Sequence, residues 1–345
     1  MIEVELLQPE DELEYKEFLI SCDYSMAQHT LGWQNVVKNL LGDKFYYLIA
    51  KENGKIVGGL PISIKENERG NIMNSIPFAG GYGGIIAQNN IRNREMIYEA
   101  LLHEMISNAK ENDCILISIS TPPFSKDLNL YNALFKPDYI LPNFIQYIDL
   151  GNPVNYERDI RRKIKKAVEL GVEITEDDSS GNLQVFYDIY KTRVRQLNGK
   201  MYPPRFFEVV KKNANANSKF LFARYQGKIV SGILLLHSRR IVDDFIAVMD
   251  MDYSYTEANS LMIDCAINWA RKKGFKYWNW QSLPSKDSGG YNFKARWGSL
   301  DSEHYYLTKV LGDLTALKKC GLEQIKKEYE WYFVMPYDQL GSKND

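Results

Sequence analysis

Apolar and polar residues alternate in the same way over two distant stretches of the chain. Tyr47-Leu-Ile-Ala-Lys-Glu-Asn-Gly-Lys-Ile-Val-Gly-Gly-Leu60 aligns without a gap to Phe220-Leu-Phe-Ala-Arg-Tyr-Gln-Gly-Lys-Ile-Val-Ser-Gly-Ile233. Each predicts a strand, a tight turn at Asn53-Gly54 or Gln226-Gly227, and a second strand, because glycine reaches positive φ at little cost. The pattern then changes to helical spacing in both places. Ile97 to Lys110 predicts a helix leading into the strand Cys114–Ile119. Ser260 to Lys272 predicts another, with Leu261, Ala266, Ile267 and Trp269 apolar, a basic last turn and a terminating Gly274. The strand Lys276–Trp280 follows it. Both halves therefore run hairpin, further strand, helix, strand, which reads as two copies of one α+β unit.

A connector at Gly151-Asn-Pro153 follows the strand Phe144–Leu150, since proline ends strand pairing and keeps the preceding residue extended. The expected domains are residues 1–150 and 151–345. Within the second, Asn155–Leu170, Gly181–Arg195 and Pro204–Asn213 read as helices and Val172–Thr175 as a strand. A helix over Leu311–Tyr329 and an apolar strand at Trp331–Met335 close the chain.

At 345 residues, two domains of about 150 residues is the natural division. Lys plus Arg number 43 and Asp plus Glu 44, a net charge of −1 that argues against a surface-wide coat for duplex nucleic acid but permits one local basic patch. No apolar run approaches the roughly 20 residues of a spanning helix. The opening Met1-Ile-Glu-Val-Glu-Leu-Leu is acidic and alternating rather than leader-like, so a cytoplasmic location is expected. Cys22, Cys114, Cys265 and Cys320 are scattered, and Cys114 and Cys265 read as small buried hydrophobes. There is no G-x-S-x-G, no G-x-G-x-x-G and no Walker lysine after Gly80-Gly-Tyr-Gly-Gly84. His103-Glu104 lacks a second histidine four residues on, and the four histidines show no ligand spacing, so no metal site is expected.

The order strand, helices, hairpin, strand, helix, strand resembles the GNAT N-acetyltransferase fold, and a tandem pair resembles the FemABX family. His29-Thr-Leu-Gly-Trp33, Gly54-Lys-Ile-Val-Gly58 with Leu60-Pro61, and Phe78-Ala-Gly-Gly-Tyr-Gly-Gly84 resemble the opening landmarks of FemAB-like and CelD-like acyltransferase domains. Arg161–Val172, Thr192–Phe207 with Gly199, Tyr202 and Pro203, and Phe293-Lys294 with Trp297-Gly298 resemble second-domain landmarks. The likeness implies two tandem GNAT-like domains, each a mixed, mainly antiparallel sheet flanked by helices. It implies transfer of an aminoacyl group from aminoacyl-tRNA to an amine of a cell-envelope precursor such as peptidoglycan. No cofactor would be permanently bound, the acyl donor being a co-substrate. The partners would be tRNA, a small-molecule or lipid-linked amine acceptor, and a peripherally touched membrane surface. Two alternatives stay open: a CoA-dependent N-acyltransferase of the CelD sort, and a binding protein that kept the fold without catalysis. CoA enzymes of this fold hold pyrophosphate on a Q/R-x-x-G-x-G/A loop at a helix N-terminus. Neither Ile85-Ile-Ala-Gln-Asn-Asn90 nor Tyr253-Ser-Tyr-Thr-Glu-Ala258 fits that pattern, and Glu257 adds a negative charge.

Lys294 is the first candidate for chemistry, because a fixed cation stabilises the oxyanion formed when an amine attacks an ester. Phe293 would pack the lysine stem; the plain alternatives are a surface lysine and a core phenylalanine. Tyr82, Lys38, Arg193, Tyr202 and Trp280 are candidate substrate contacts. Set against this, Tyr82 reads equally as a β-edge aromatic, Lys38 as a solvated lysine and Trp280 as core. Arg158, Arg161, Arg162 and Lys165, with Lys163 and Lys166, line a helix whose Ile160, Ile164 and Ala167 face inward. That basic face reads as a solvated surface or as a footprint for tRNA or an anionic acceptor. No histidine or carboxylate stands out as a base.

Overall fold

The computed structural model describes residues 1–75, 78, 81–89, 91–283 and 285–340. Ala79, Gly80 and Asn90 of the motifs above, and residues 341–345 of the expected second domain, lie outside the described residues. The chain begins with β1 (Ile2–Leu6), α1 (Glu12–Ser21), α2 (Leu31–Leu41), β2 (Lys44–Glu52), β3 (Lys55–Lys65) and β4 (Asn71–Asn74). Then come β5 (Ile86–Ala87), α3 (Arg94–Glu111), β6 (Cys114–Ser120) and α4 (Leu128–Leu130). The middle holds β7 (Tyr139–Asp149), α5 (Arg158–Glu169), β8 (Glu173–Thr175), α6 (Ser180–Gln196), α7 (Phe206–Ala214), β9 (Ser218–Tyr225) and β10 (Lys228–His237). It continues with β11 (Ile241–Met249), α8 (Ala258–Lys272), β12 (Tyr277–Leu283) and α9 (Gly289–Ala295). The last elements are β13 (Leu300–Val310), α10 (Thr315–Cys320) and α11 (Leu322–Glu328).

Both hairpins form as their alternation predicts, with Asn53 and Gly54 at φ 52° and 74° and Gln226 and Gly227 at 49° and 78°. The likeness extends to an irregularity. Each hairpin carries one extra residue in its second strand, Val57 in the first and Val230 in the second, at the same place in the repeat. Equivalent glycines also do equivalent work. A Cβ on Gly59 would lie 3.2 Å from the Tyr15 ring of α1, and one on Gly232 would lie 2.5 Å from the Phe186 ring of α6. Each glycine lets an aromatic side chain of a preceding helix close onto the hairpin.

The chain divides into two compact units, Met1–Asn143 with Glu303–Asp345, and Phe144–Ser302. The boundary expected after residue 150 therefore falls earlier, and the C-terminal segment belongs with the first unit instead of the second. Pairing explains both differences. Phe144–Asp149 of β7 pairs antiparallel with β12, and Tyr306–Val310 of β13 pairs antiparallel with β6. Leu317, Ile325, Tyr329, Tyr332 and Val334 then cluster with Ile72 and Leu116.

In the first unit the strands run β1-β2-β3-β4-β6-β13, with β5 on β3; in the second they run β7-β12-β11-β10-β9-β8. In each, the hairpin is followed by an antiparallel neighbour (β4 or β11) and then a parallel one (β6 or β12). One helix packs over each crossover, α3 against Leu60, Ile62 and Ile117, and α8 against Leu221, Ile233 and Trp278. The expected C-terminal helix is broken at Gly321, whose φ of 78° interrupts it between α10 and α11. Trp331–Met335 forms no strand; it binds as an irregular segment within the first unit.

Candidate active site

The second unit contains a fork in its sheet. Strands β11 and β12 pair in parallel at Ile241↔Tyr277, Val242↔Trp278 and Asp243↔Asn279, and at no further position among the described residues, although both strands continue. Two bulges flank the fork. Opposite β10, Leu234 pairs with Ile246 but Leu235 with Asp244, which leaves Phe245 as the extra residue. Opposite β7, Asn279 pairs with Tyr147 and Ser282 with Ile145, so an extra residue falls at Trp280-Gln281, where Gln281 adopts φ 63°. Bulges of this kind re-aim side chains and end pairing.

Helix α9 brings Lys294 to this place. Ser288 caps the helix by accepting from Tyr291 N–H at 3.1 Å. From its last turn Lys294 Nζ donates to the Trp280 carbonyl at 2.5 Å. Trp280 Nε1 donates to Ser299 Oγ at 2.7 Å, and Ser299 Oγ donates to the Lys294 carbonyl at 2.7 Å. The bulged strand and the end of the helix are thus tied together by one hydroxyl. Phe293 rests edge-on against Trp280 and Trp297, with ring centroids 6.3 and 6.1 Å apart. Gly298 makes the turn out of α9 at φ 74°, where a Cβ would come within 2.8 Å of the Asn155 carbonyl.

Electrostatics link this helix to β11. Burial pushes the Asp244 carboxyl up to about 7, with the Lys294 ammonium acting in the opposite sense. Burial pulls Lys294 down to about 8, with Asp244 holding it up. The fork thus holds an acid raised, and a cation lowered, toward neutral pH. Such a pair can accept a proton from an amine and face a developing oxyanion. The adjacent Asp243 is structural: it is buried and accepts from Asn279 Nδ2 at 2.7 Å.

The fork gathers some of the residues expected from sequence and leaves others aside. Lys294, Phe293 and Trp280 come together, but Trp280 is buried and contributes its carbonyl, not an exposed ring. Tyr202 stacks on Phe206 at 4.2 Å and on Phe245, the bulged neighbour of Asp244, at 6.0 Å. Arg193 instead lines a pocket of about 320 Å³ with Asp188, Thr192, Gln196, Asp250 and Asp252. Tyr82 corrects the cleft-lining expectation: it is fully buried in the first unit, edge-on to His304 at 5.0 Å. Lys38 is exposed on α2 of the same unit. His29 is also structural there. Its Nδ1 accepts from Met26 N–H at 3.0 Å, so Nε2 carries the proton and donates to the Gly83 carbonyl at 3.2 Å.

Asp244 is the functional candidate that sequence reading missed. Its signal was present in Ile241-Val-Asp-Asp-Phe-Ile-Ala-Val-Met249, where two carboxylates interrupt an otherwise apolar central strand.

A pyrophosphate cradle at the start of α8 does not fit these residues. Ala258 N–H is taken by Thr256 Oγ1 at 3.3 Å, and Ser260 and Leu261 N–H by the Glu257 carbonyl at 3.0 and 3.4 Å. The preceding turn carries Asp250, Asp252 and Glu257, and Glu257 lies 3.9 Å from Lys163. On α5, Ile160 and Ala167 are buried, while Arg158, Arg161, Arg162, Lys165 and Lys166 are exposed. Arg162 pairs with Asp159 at 2.7 Å and Lys165 with Glu169 at 3.5 Å.

Residues 155–294 match the family model described as an acetyltransferase (GNAT) domain. No curated protein matches the chain in sequence. Among solved structures, FemX is similar at a TM-score of 0.72 and 16% identity, covering 90% of this chain and 98% of that one. The C-terminal domain of an Agrobacterium fabrum protein assigned as a lysylphosphatidylglycerol synthetase is similar at 0.60 and 13%, covering 92% and 96%. A tandem GNAT protein from the clavulanic acid biosynthesis pathway is similar at 0.54 and 9%, covering 91% and 99%. Residues 155–294 thus match an acyltransferase domain of the GNAT type, and the fold of the chain is similar to that of FemX.

Proposed function

We propose that the chain transfers an aminoacyl group from the ester of aminoacyl-tRNA to an amine of a cell-envelope precursor, at the fork of the second unit. The observation that carries this reading is the Asp244–Lys294 pair. The acceptor nitrogen attacks the ester carbonyl and a C–N bond forms. Asp244 takes the proton released from nitrogen, and the Lys294 ammonium faces the oxyanion. Collapse breaks the C–O bond, and the departing hydroxyl recovers the proton from Asp244.

Two features support tRNA as the donor. The Ala258, Ser260 and Leu261 N–H groups at the start of α8 are already bonded and the turn before it is acidic, which disfavours the pyrophosphate of CoA. The α5 face supplies exposed arginines and lysines suited to a phosphate backbone. Among solved relatives, the lysylphosphatidylglycerol synthetase assignment supports an envelope-directed acceptor. Among the described residues no helix is long and apolar enough to cross a membrane.

Incubation of the full chain with charged tRNA or with acyl-CoA, against a panel of primary amines, tests the proposal by mass spectrometry of the products. Amide formed from charged tRNA is the expected result. Amide formed only from acyl-CoA overturns the donor, and donor binding without product overturns catalysis.

A further inference from the structure

The N-terminal end of α5 is joined to the residues just past Lys294. Glu157 stands at the N-cap of α5, and its N–H donates to the Arg296 carbonyl at 2.9 Å. Tyr156 lies edge-on to Trp297 with ring centroids 4.9 Å apart. The Asn155 carbonyl lies so close to Gly298 that a Cβ there would come within 2.8 Å of it. Residues 155, 156 and 157 thus meet residues 298, 297 and 296 in antiparallel order. Trp297 N–H in turn donates to the Lys294 carbonyl at 3.1 Å. Close-packed contacts transmit small displacements, so a shift of α5 reaches the lysine through this junction.

One carboxylate sits between the junction and the basic face of α5. Asp159 Oδ1 accepts from Arg162 Nη2 at 2.7 Å, whereas Oδ2 lies 3.7 Å from Lys163 Nζ and 3.6 Å from Arg296 Nη1. The short bond is on the basic face and the long one is on the junction. Side-chain exposure separates the two partners of the short bond, at 79% for Arg162 and 29% for Asp159. A phosphate approaching from solvent therefore meets the guanidinium first.

Exposed ion pairs are individually weak, and a guanidinium binds phosphate through two parallel hydrogen bonds. A phosphate on Arg162 therefore displaces Asp159, and Arg296 is a cation already within reach of the freed carboxylate. We propose that Asp159 is a positioning residue that couples the nucleic-acid donor to Lys294. A donor phosphate on Arg162 frees the carboxylate to close on Arg296, which draws the end of α9 onto α5 and sets the ammonium for the transition state. Binding energy from a part of the donor remote from the ester then appears as rate. This rests on the acyl-transfer reading and adds that the phosphate backbone of the donor raises kcat as well as affinity.

The test gives the full chain one primary amine and two donors of the same aminoacyl ester: charged tRNA, and the ester of adenosine, which carries no phosphate. At saturating donor the wild type should turn over charged tRNA about tenfold faster than the adenosine ester. Asp159→Asn should remove that advantage by lowering kcat on charged tRNA, with turnover of the adenosine ester unchanged. Arg296→Gln should do the same, and the double variant no more than either, as expected of one linked pair. Asp159→Glu keeps the charge and should recover part of the kcat. Arg162→Gln separates the two roles: it should raise KM for charged tRNA and keep kcat, because Asp159 is already free. Amide hydrogen exchange reads the link without turnover. Uncharged tRNA should slow exchange at Trp297 and Gly298 in the wild type and leave it unchanged in Asp159→Asn. Equal loss on both donors in Asp159→Asn means plain structural support and overturns the proposal, as does equal kcat on the two donors in the wild type. Either result leaves the acyl-transfer reading standing. Absence of transfer from any donor overturns that reading, and hydrogen exchange alone then decides the link.

Discussion

The two units put the same strand position to opposite uses. Ser63 and Leu236 hold one place in the repeat, and their partners are Asn74 and Asp243. The next residues, Ser75 and Asp244, are therefore equivalents. In the first unit Ser75 N–H donates to the Ser118 carbonyl at 2.9 Å, and Ser75 Oγ accepts from Ser120 N–H at 3.0 Å, which keeps the seam between β4 and β6 closed. The C-terminal segment then seals it. Asn74 Nδ2 donates to the Phe333 carbonyl at 3.1 Å, Ser118 Oγ to the Val334 carbonyl at 2.9 Å, and Phe78 N–H to the Trp331 carbonyl. In the second unit the equivalent seam stops at Asp243↔Asn279, and burial raises the Asp244 carboxyl while the Lys294 ammonium opposes the shift. A hydroxyl bonded to backbone accompanies a closed seam in one unit, and a carboxyl stands at the same place beside the open seam of the other.

Copying the closed seam into the open one should have the largest effect. Asp244→Ser removes the proton acceptor and should lower kcat by about 10²–10⁴-fold while circular dichroism stays native. Lys294→Ala should follow, with a loss of about 10²–10³-fold in kcat, or about 2.7–4 kcal/mol of transition-state stabilisation. Lys294→Arg should restore only part of it, since a planar fork does not replace a compact ammonium.

The reverse exchange acts on stability instead. Ser75→Asp places a buried carboxyl with no cation in the sealed seam, and should cost about 3 kcal/mol in urea unfolding at pH 8. Burial raises the folded-state pKa of such a group above its unfolded value, so the penalty is relieved as pH falls. Acyl transfer per folded molecule should not change. The smallest effect concerns α5. Replacing Arg161, Arg162 and Lys165 by glutamine should reduce the salt slope of tRNA binding by about 2. An unchanged slope would remove that face from the donor contact.

The repeat was legible because it is local. The Asn53-Gly54 and Gln226-Gly227 turns, the alternation around them and the helices of α3 and α8 are all set by neighbouring residues. Lys294 and Phe293 stood out as candidates, since the Phe-Lys pair and Trp297-Gly298 form a compact motif. Asp244 was not, because fifty positions of chain separate it from Lys294 and the bulge at Phe245 that sets its place is a feature of pairing, not of sequence. The C-terminal segment misled for a related reason. Trp331–Met335 has the composition of a strand, but its carbonyls are used by Asn74, Ser118 and Phe78 in an irregular path. Tyr82 looked accessible among glycines, yet those glycines let the backbone pack tightly: Gly83 N–H donates to Ser120 O, and Gly81 O accepts from Ser120 Oγ.

The pH dependence of kcat/KM for aminoacyl transfer tests the Asp244–Lys294 pair most directly. Activity requires Asp244 ionised and Lys294 protonated, so the rate should rise as pH passes about 7 and fall as it passes about 8. Lys294→Met removes the cation that holds the carboxyl down, and the acidic limb of its residual activity should move to higher pH. A profile with no limb near neutrality, or an acidic limb that stays in place in Lys294→Met, would contradict the account.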